Sequence, residues 1–164
     1  MNAVKNESKA IYSVSRINED DDIIAEALKI LEKRLKREVE LAITCPNDGR
    51  DFLRLKLAER EHEVFAVMFL DNRHNLIEYV EMFNGTIDGA SVYPREVLKK
   101  ALAVNASAVI LAHNHPSGIS EPSSADERIT LRLKEALGLV DIRVLDHIIV
   151  GSDNTTSLAE KGIL

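Results

Sequence analysis

The sequence predicts an α/β fold of the α+β kind, a central mixed β-sheet flanked by helices. Three observations carry that expectation. Short apolar runs such as Val64–Leu70 (VFAVMFL) and Ala108–Ala112 (AVILA) are consistent with buried strands. Stretches between them repeat apolar residues at three- and four-residue intervals, the pattern of amphipathic helices. From residue 62 the elements run strand, strand, helix, strand, helix, strand, which is neither a regular βαβ alternation nor an all-β pattern.

Composition narrows the setting. The 164 residues are 45% hydrophobic and 29% charged, ordinary for a soluble globular protein and enough to bury a core in one domain. The single cysteine, Cys45, excludes a disulfide within the chain, so a reducing, cytoplasmic location is expected. No segment suits a signal peptide or a membrane span. The net charge is −6; residues 1–60 balance 12 basic against 12 acidic side chains, whereas residues 61–164 hold 9 and 15. The second half is therefore a poor nucleic-acid surface.

Met1–Asp22 is polar and reads as a flexible leader, its acidic end Glu19–Asp22 suited to a helix N-terminus. Ile23, Ile24, Ala27, Leu28, Leu31 and Leu35 then form the stripe of a helix over Ile23–Arg37. Lys29, Lys33, Arg34, Lys36 and Arg37 are expected on its solvated face, with a phosphate-binding patch as the alternative. Val39–Ile43 reads as a short strand, Thr44–Gly49 (TCPNDG) as a turn and Asp51–Arg60 as a helix. Cys45 has no second thiol or histidine nearby and is not expected to be catalytic. Residues 23–60 thus form a helical extension to a domain over residues 61–164.

In that domain Leu76–Met82 pairs back on Val64–Leu70 through the turn Asp71–Asn75, where His74 should face solvent. Asn84–Ala90 (NGTIDGA) is a loop, and Pro94 opens a helix to about Val104. Ser124–Leu139 is a second helix, Ile142–Val150 a strand and Thr155–Leu158 a short last one.

The chemistry concentrates in His113–Asp126 (HNHPSGISEPSSAD). At the end of a strand, His113 and His115 project to the same side and can reach one ion. The Pro/Gly/Ser loop lets the chain turn back, and the following helix brings Asp126 towards the same point. Two imidazoles and a carboxylate are three ligands of the kind zinc accepts in catalytic sites, with a fourth position left for water. Ser124-x-x-Glu127 is the expected capping box, which leaves Ser123 and Asp126 for chemistry; a cap formed by Ser123 and Asp126 is the competing register. The contiguous string HNH is not the nuclease motif of that name, whose residues are dispersed.

The spacing His-x-His, seven residues, Ser-x-x-Asp resembles the JAMM motif of JAB/MPN metallopeptidase-like domains. More closely, HNHPSG, the preceding FNGTIDGASVYPREVLKKAL, the later LDHIIVG and the ending SLAEKGIL resemble the bacterial RadC family of DNA-repair RadC-like proteins, from about Glu63 to the C-terminus. The resemblance implies a JAB/MPN (cytidine deaminase-like) architecture and a zinc-dependent hydrolase. It makes His113, His115 and Asp126 the zinc ligands, Ser123 a hydrogen-bond donor near the attacked carbonyl, and an upstream glutamate the general acid/base. Glu63 stands where the motif places that glutamate, with Glu61 as competitor. His147 also matches, as a core histidine or one that orients a ligand. Longer family members carry an N-terminal helix-hairpin-helix; only about 60 residues precede Glu63 here, with no Gly-rich hairpin pair, so that module is expected to be absent or reduced.

The activity so implied is cleavage of an amide or isopeptide bond in a peptide substrate by a zinc-activated water. The alternatives are a DNA-repair accessory or nucleic-acid-binding module with a structural or vestigial zinc site, and a metal-dependent nuclease.

Overall fold

Val64–Leu70 is buried at every position because helices cover both of its faces, so nothing selects for polar alternation along it. The computed structural model describes residues 20–32, 46–85 and 91–164. Its helices are α1 (residues 20–32), α2 (Pro46–Leu57), α3 (Pro94–Ala103) and α4 (Ser124–Gly138). Its strands are β1 (Val64–Leu70), β2 (Leu76–Asn84), β3 (Ala108–Asn114), β4 (Arg143–Val150) and β5 (Thr155–Ser157). They make one sheet of order β2-β1-β3-β4-β5, with β3 and β4 parallel and all other neighbours antiparallel. This is the mixed sheet with flanking helices that the sequence predicts.

Alternation along β1 and β3 divides the core in two. Ala66, Met68, Leu70, Ala108 and Ala112 pack against Phe52, Leu53 and Leu57 of α2. Phe65, Val67, Phe69, Val109 and Leu111 face the other way, onto Val97 and Ala101 of α3 and Leu133 and Leu137 of α4. α1 adds Leu28 and Leu31 to the α2 side, where Lys56 pairs with Glu32 at 3.2 Å. Ile23 departs from the expected stripe: it is 66% exposed, on the first turn and outside the half-buried row of Ile24, Ala27, Leu28 and Leu31.

Several boundaries move. Pro46–Gly49, expected as a turn, is the first turn of α2; proline suits a helix start because the N–H it lacks has no partner there. β2 runs on to Asn84, and β3 extends past Ala112 to include His113 and Asn114. The expected strand Val39–Ile43, Cys45, residues 1–19, the cations from Lys33 to Arg37 and most of the loop before Ser91 lie outside the described residues.

One irregularity bears on function. Val144 pairs with Val109 but Asp146 pairs with Ile110, so Leu145 is an extra residue in β4. Such a bulge re-aims the side chains that follow it. Here it puts His147 opposite Leu111, on the α4 face of the sheet, and turns Asp146 to the α2 face, where its carboxylate accepts from Ser157 Oγ at 2.6 Å and the Ala159 N–H at 3.0 Å.

Candidate metal centre

β3 and the start of α4 build the site. His113 is the penultimate residue of β3, 1% exposed, its ring stacked on Phe65 of the neighbouring strand at 6.3 Å between centroids. His115 continues the β3 course, its N–H donating to the Val150 carbonyl at 2.9 Å. The two rings point to one side of the sheet, as period-two alternation requires, and their Nε2 atoms lie 3.0 Å apart. Beyond them the chain turns at Gly118, whose φ of +81° puts it in the left-handed region; an added Cβ would stand 2.5 Å from Ser152 Oγ. Pro122 and Ser123 then lead into α4.

The cap of α4 corrects the sequence reading. Ser123, in extended conformation, is the N-cap, and its partner is Asp126 rather than Glu127. Ser123 Oγ accepts the Asp126 N–H at 3.2 Å, and Asp126 Oδ2 accepts the Ser123 N–H at 2.7 Å and the Ser123 hydroxyl at 2.6 Å. Ser124 is already inside the helix, and a residue with helical dihedrals cannot be an N-cap. The same Ser123 and Asp126 that start the helix therefore face the histidines. With Oδ2 held by Ser123, Oδ1 stands 3.2 Å from His113 Nε2, and Oδ2 is 3.5 Å from His115 Nε2.

Each histidine spends its Nδ1 elsewhere and turns Nε2 inward. His115 Nδ1 donates to the Ile119 carbonyl at 2.7 Å, and His113 Nδ1 lies 2.8 Å from Nε2 of His147, a fully buried residue. Electrostatics follow the geometry. Burial works against the Asp126 charge, but the hydrogen bonds from His113 and His115, with that from Ser123, outweigh it and hold the carboxyl well below the usual carboxylate range. The hydrogen bond to Asp126 raises the His115 pKa against the opposing effect of burial. Burial pushes His147 well down, which keeps it neutral.

These donors fit a zinc ion. One donor atom from each of His113, His115 and Asp126 lies within 4.8 Å of the others. A tetrahedral zinc with bonds of about 2.0–2.2 Å separates its donors by about 3.3–3.6 Å. His113 Nε2 and His115 Nε2 are 3.0 Å apart and lie 3.2 and 3.5 Å from different Asp126 oxygens, so the three side chains could close on one ion.

Glu63 completes the rim. Phe65 pairs with His113, so the antiparallel register extended by two residues sets Glu63 across from His115, on the same face of the sheet. Its charge helps raise the His115 pKa. Its backbone is tied on both sides: the Glu63 carbonyl accepts the Gly85 N–H at 2.8 Å, and Asn114 of β3 holds its neighbours. Asn114 Oδ1 accepts the Val64 N–H at 2.8 Å, and its Nδ2 donates to the His62 carbonyl at 3.0 Å and the Arg60 carbonyl at 3.3 Å. Glu61 is exposed where Glu63 is half-buried.

Residues 43–163 match the family described as RadC-like JAB domain. The chain belongs to that family. It is 58% identical over 153 residues to a UPF0758 protein of Vibrio cholerae serotype O1, covering 93% of this chain and 95% of that one. A second UPF0758 protein of the same organism is 53% identical with nearly the same coverage, 93% and 96%. A UPF0758 protein of Cellvibrio japonicus is 65% identical over 122 residues, 74% of this chain and 54% of its own length.

In this RadC-like chain, then, the structure brings together His113, His115 and Asp126, with Ser123 on the carboxylate and Glu63 across from His115. His147 lies behind His113. His74 sits in its turn at a positive φ of 62°, its Nε2 3.3 Å from Arg143, on a different part of the molecule. Two residues escaped sequence reasoning. Asn114 stands inside His-Asn-His, where alternation sends it to the opposite face; Thr130, one turn beyond Asp126 in α4, carries no signal in the sequence.

Proposed function

We propose that this JAB-domain protein is a zinc-dependent hydrolase of JAMM type, a metallopeptidase or isopeptidase that cleaves an amide bond. The observation that carries the reading is the convergence of His113 Nε2, His115 Nε2 and the Asp126 carboxylate beside Glu63. His113, His115 and Asp126 would hold the zinc, which when bound would supply a Lewis acid and lower the pKa of a water from about 15.7 to about 7. Glu63 takes up a proton at its carboxylate and returns it to the departing amine nitrogen. The Ser123 hydroxyl, which donates to Asp126 Oδ2, is the group assigned to donate to a developing oxyanion, a contribution of about 3 kcal/mol for donors of this kind. The single cysteine suits a cytoplasmic setting, and the proposed substrate is a peptide or isopeptide met there.

Mass spectrometry of peptide and isopeptide-linked mixtures after incubation with the zinc-loaded protein tests this reading. Cleavage by the wild type that is lost in Glu63→Gln is the expected result. Cleavage that persists in Glu63→Gln and in His113→Ala would refute it. The nucleic-acid reading draws no support from the described part of the basic stripe, where Lys29 pairs with Glu26 at 3.7 Å within the same helix.

A further inference from the structure

On the face of the sheet that carries α3 and α4, a row of aromatic rings leads away from the histidines and grows more exposed as it goes. Phe65, 2% exposed, stacks on His113 at 6.3 Å between centroids. Phe83 of β2 follows at 6.2 Å from Phe65, and Tyr93 stands 6.0 Å from Phe83 with 61% exposure. At Tyr93 a cleft of about 500 Å³ opens between the start of α3 and the middle of α4, a volume within the range of small-ligand sites. Arg95 from α3 and Arg132 from α4 both line it. Among the described residues neither guanidinium makes an ion pair, and Glu96, next to Arg95, is engaged by Lys99 at 3.0 Å. The Arg95 N–H adds a donor of its own. α3 begins at Pro94, which has no N–H, and the Tyr93 side chain makes no cap, so the Arg95 N–H is the first of the helix, where negative charge is favoured.

We infer that the Arg95–Arg132 cleft is a substrate subsite for a carboxylate of a peptide, with the Phe65–Phe83–Tyr93 row as the apolar path from it to the bond that is cut. Each arginine presents a planar fork of N–H donors, the geometry that matches a carboxylate. Tyr93 offers a rigid apolar face to the peptide that leads there. An extended chain advances about 3.3–3.6 Å per residue, so three ring-to-ring steps of this size are bridged by about five residues or fewer. The carboxylate is therefore close in sequence to the scissile bond. It comes from an acidic side chain or from the C-terminus of the peptide. Nucleic acid is disfavoured, because residues 61–164 hold 9 basic against 15 acidic side chains and a polyphosphate needs an extended basic surface. That the carboxylate belongs to a substrate rests on the hydrolase reading; the preference of the cleft for it rests on the two arginines.

The experiment titrates an acetylated alanine hexapeptide into the metal-free protein and follows the 1H–15N signals of the arginine Nε–H groups. Three forms of the peptide are compared: the free C-terminal acid, the C-terminal amide, and the amide with one internal glutamate. At least one of the two anionic forms should shift the Arg95 and Arg132 signals and bind more tightly than the neutral amide; which of them does so identifies the source of the carboxylate. Arg95→Gln and Arg132→Gln, both at exposed positions, should each weaken that anionic peptide about 5- to 10-fold and leave the neutral amide unchanged. Equal affinity for the three forms, no binding of any form, or undiminished anionic binding in both variants would overturn the inference. So would a short DNA oligonucleotide that binds more tightly than either anionic peptide and loses affinity in the same variants. Cleavage assays with the zinc-loaded protein separate this outcome from the hydrolase reading. Carboxylate binding without any cleavage removes the hydrolase and keeps the cleft as an anion site, whereas cleavage indifferent to peptide charge keeps the hydrolase and removes the subsite.

Discussion

The Asn114 side-chain oxygen accepts the Val64 N–H at 2.8 Å, so a residue lodged between the two histidines ties down the segment that carries Glu63. His113 and His115 leave the sheet on one face; Asn114, between them, works on the other. One tripeptide thus carries two proposed metal ligands and, through the backbone of residues 60–64, fixes the approach of the proposed general base.

Asn114→Leu should therefore separate proton transfer from metal binding. It leaves the buried Val64 N–H without its acceptor and the His62 and Arg60 carbonyls without their donor, costing about 2 kcal/mol or more of stability. Urea denaturation reads that loss. Zinc affinity, measured on the folded fraction, should hold within a few-fold while hydrolysis drops.

Glu63→Gln should retain zinc and lose hydrolysis by roughly 10²–10⁴-fold, the range for removal of a general acid/base. Glu61→Gln should change little, since that side chain is exposed and one more cross-strand position removed. Parallel rates for the two variants, with metal content checked, decide between the two glutamates.

The corrected cap makes a third prediction. Asp126→Ala removes the carboxylate half of the capping box together with its contacts to His113 and His115 and should destabilise the metal-free protein by about 1 kcal/mol or more, whereas Glu127→Ala should stay within about 0.5 kcal/mol. Thermal melts in chelator compare them, and the reverse order would return the cap to Ser124 and Glu127.

pH gives a fourth. The folded-state pKa of His115 is raised, chiefly by its hydrogen bond to Asp126, so the stability it contributes is present in full below about pH 6.5 and is lost as pH rises through the folded value. His147, lowered by burial, acts in the opposite sense: its contribution is present above about pH 6.5 and is lost as pH falls. In chelator, wild type minus His115→Gln should lose stability on the alkaline side. Zinc uptake should strengthen over that same rise, because the ligand must be neutral.

Much of this fold was legible because burial on both faces leaves a plain signature. β1 has the expected limits since a strand covered by helices on either side is a continuous apolar run. The α2 start was not legible, because Pro-Asn-Asp-Gly carries turn chemistry and only packing of Phe52, Leu53 and Leu57 on the sheet selects the helix. The metal-type cluster could be read from His-x-His and a helix-borne Asp126, since strand alternation and a short loop leave few other placements. The cap register could not: Ser123–Asp126 and Ser124–Glu127 differ by one residue, and the decision lies in where the loop from Gly118 delivers the chain. Nor could the hydrogen-bonded chain Thr130–His147–His113, which depends on an extra residue at Leu145 that shifts β4 by one position.

Metal content of the purified protein tests the central claim most directly. Wild type dialysed against zinc and then buffer should hold one equivalent per chain by atomic absorption, and the folded His113→Ala/His115→Ala double variant should hold none. Stoichiometric zinc in that double variant, or none in the wild type, would contradict the assignment of His113, His115 and Asp126 as a metal centre.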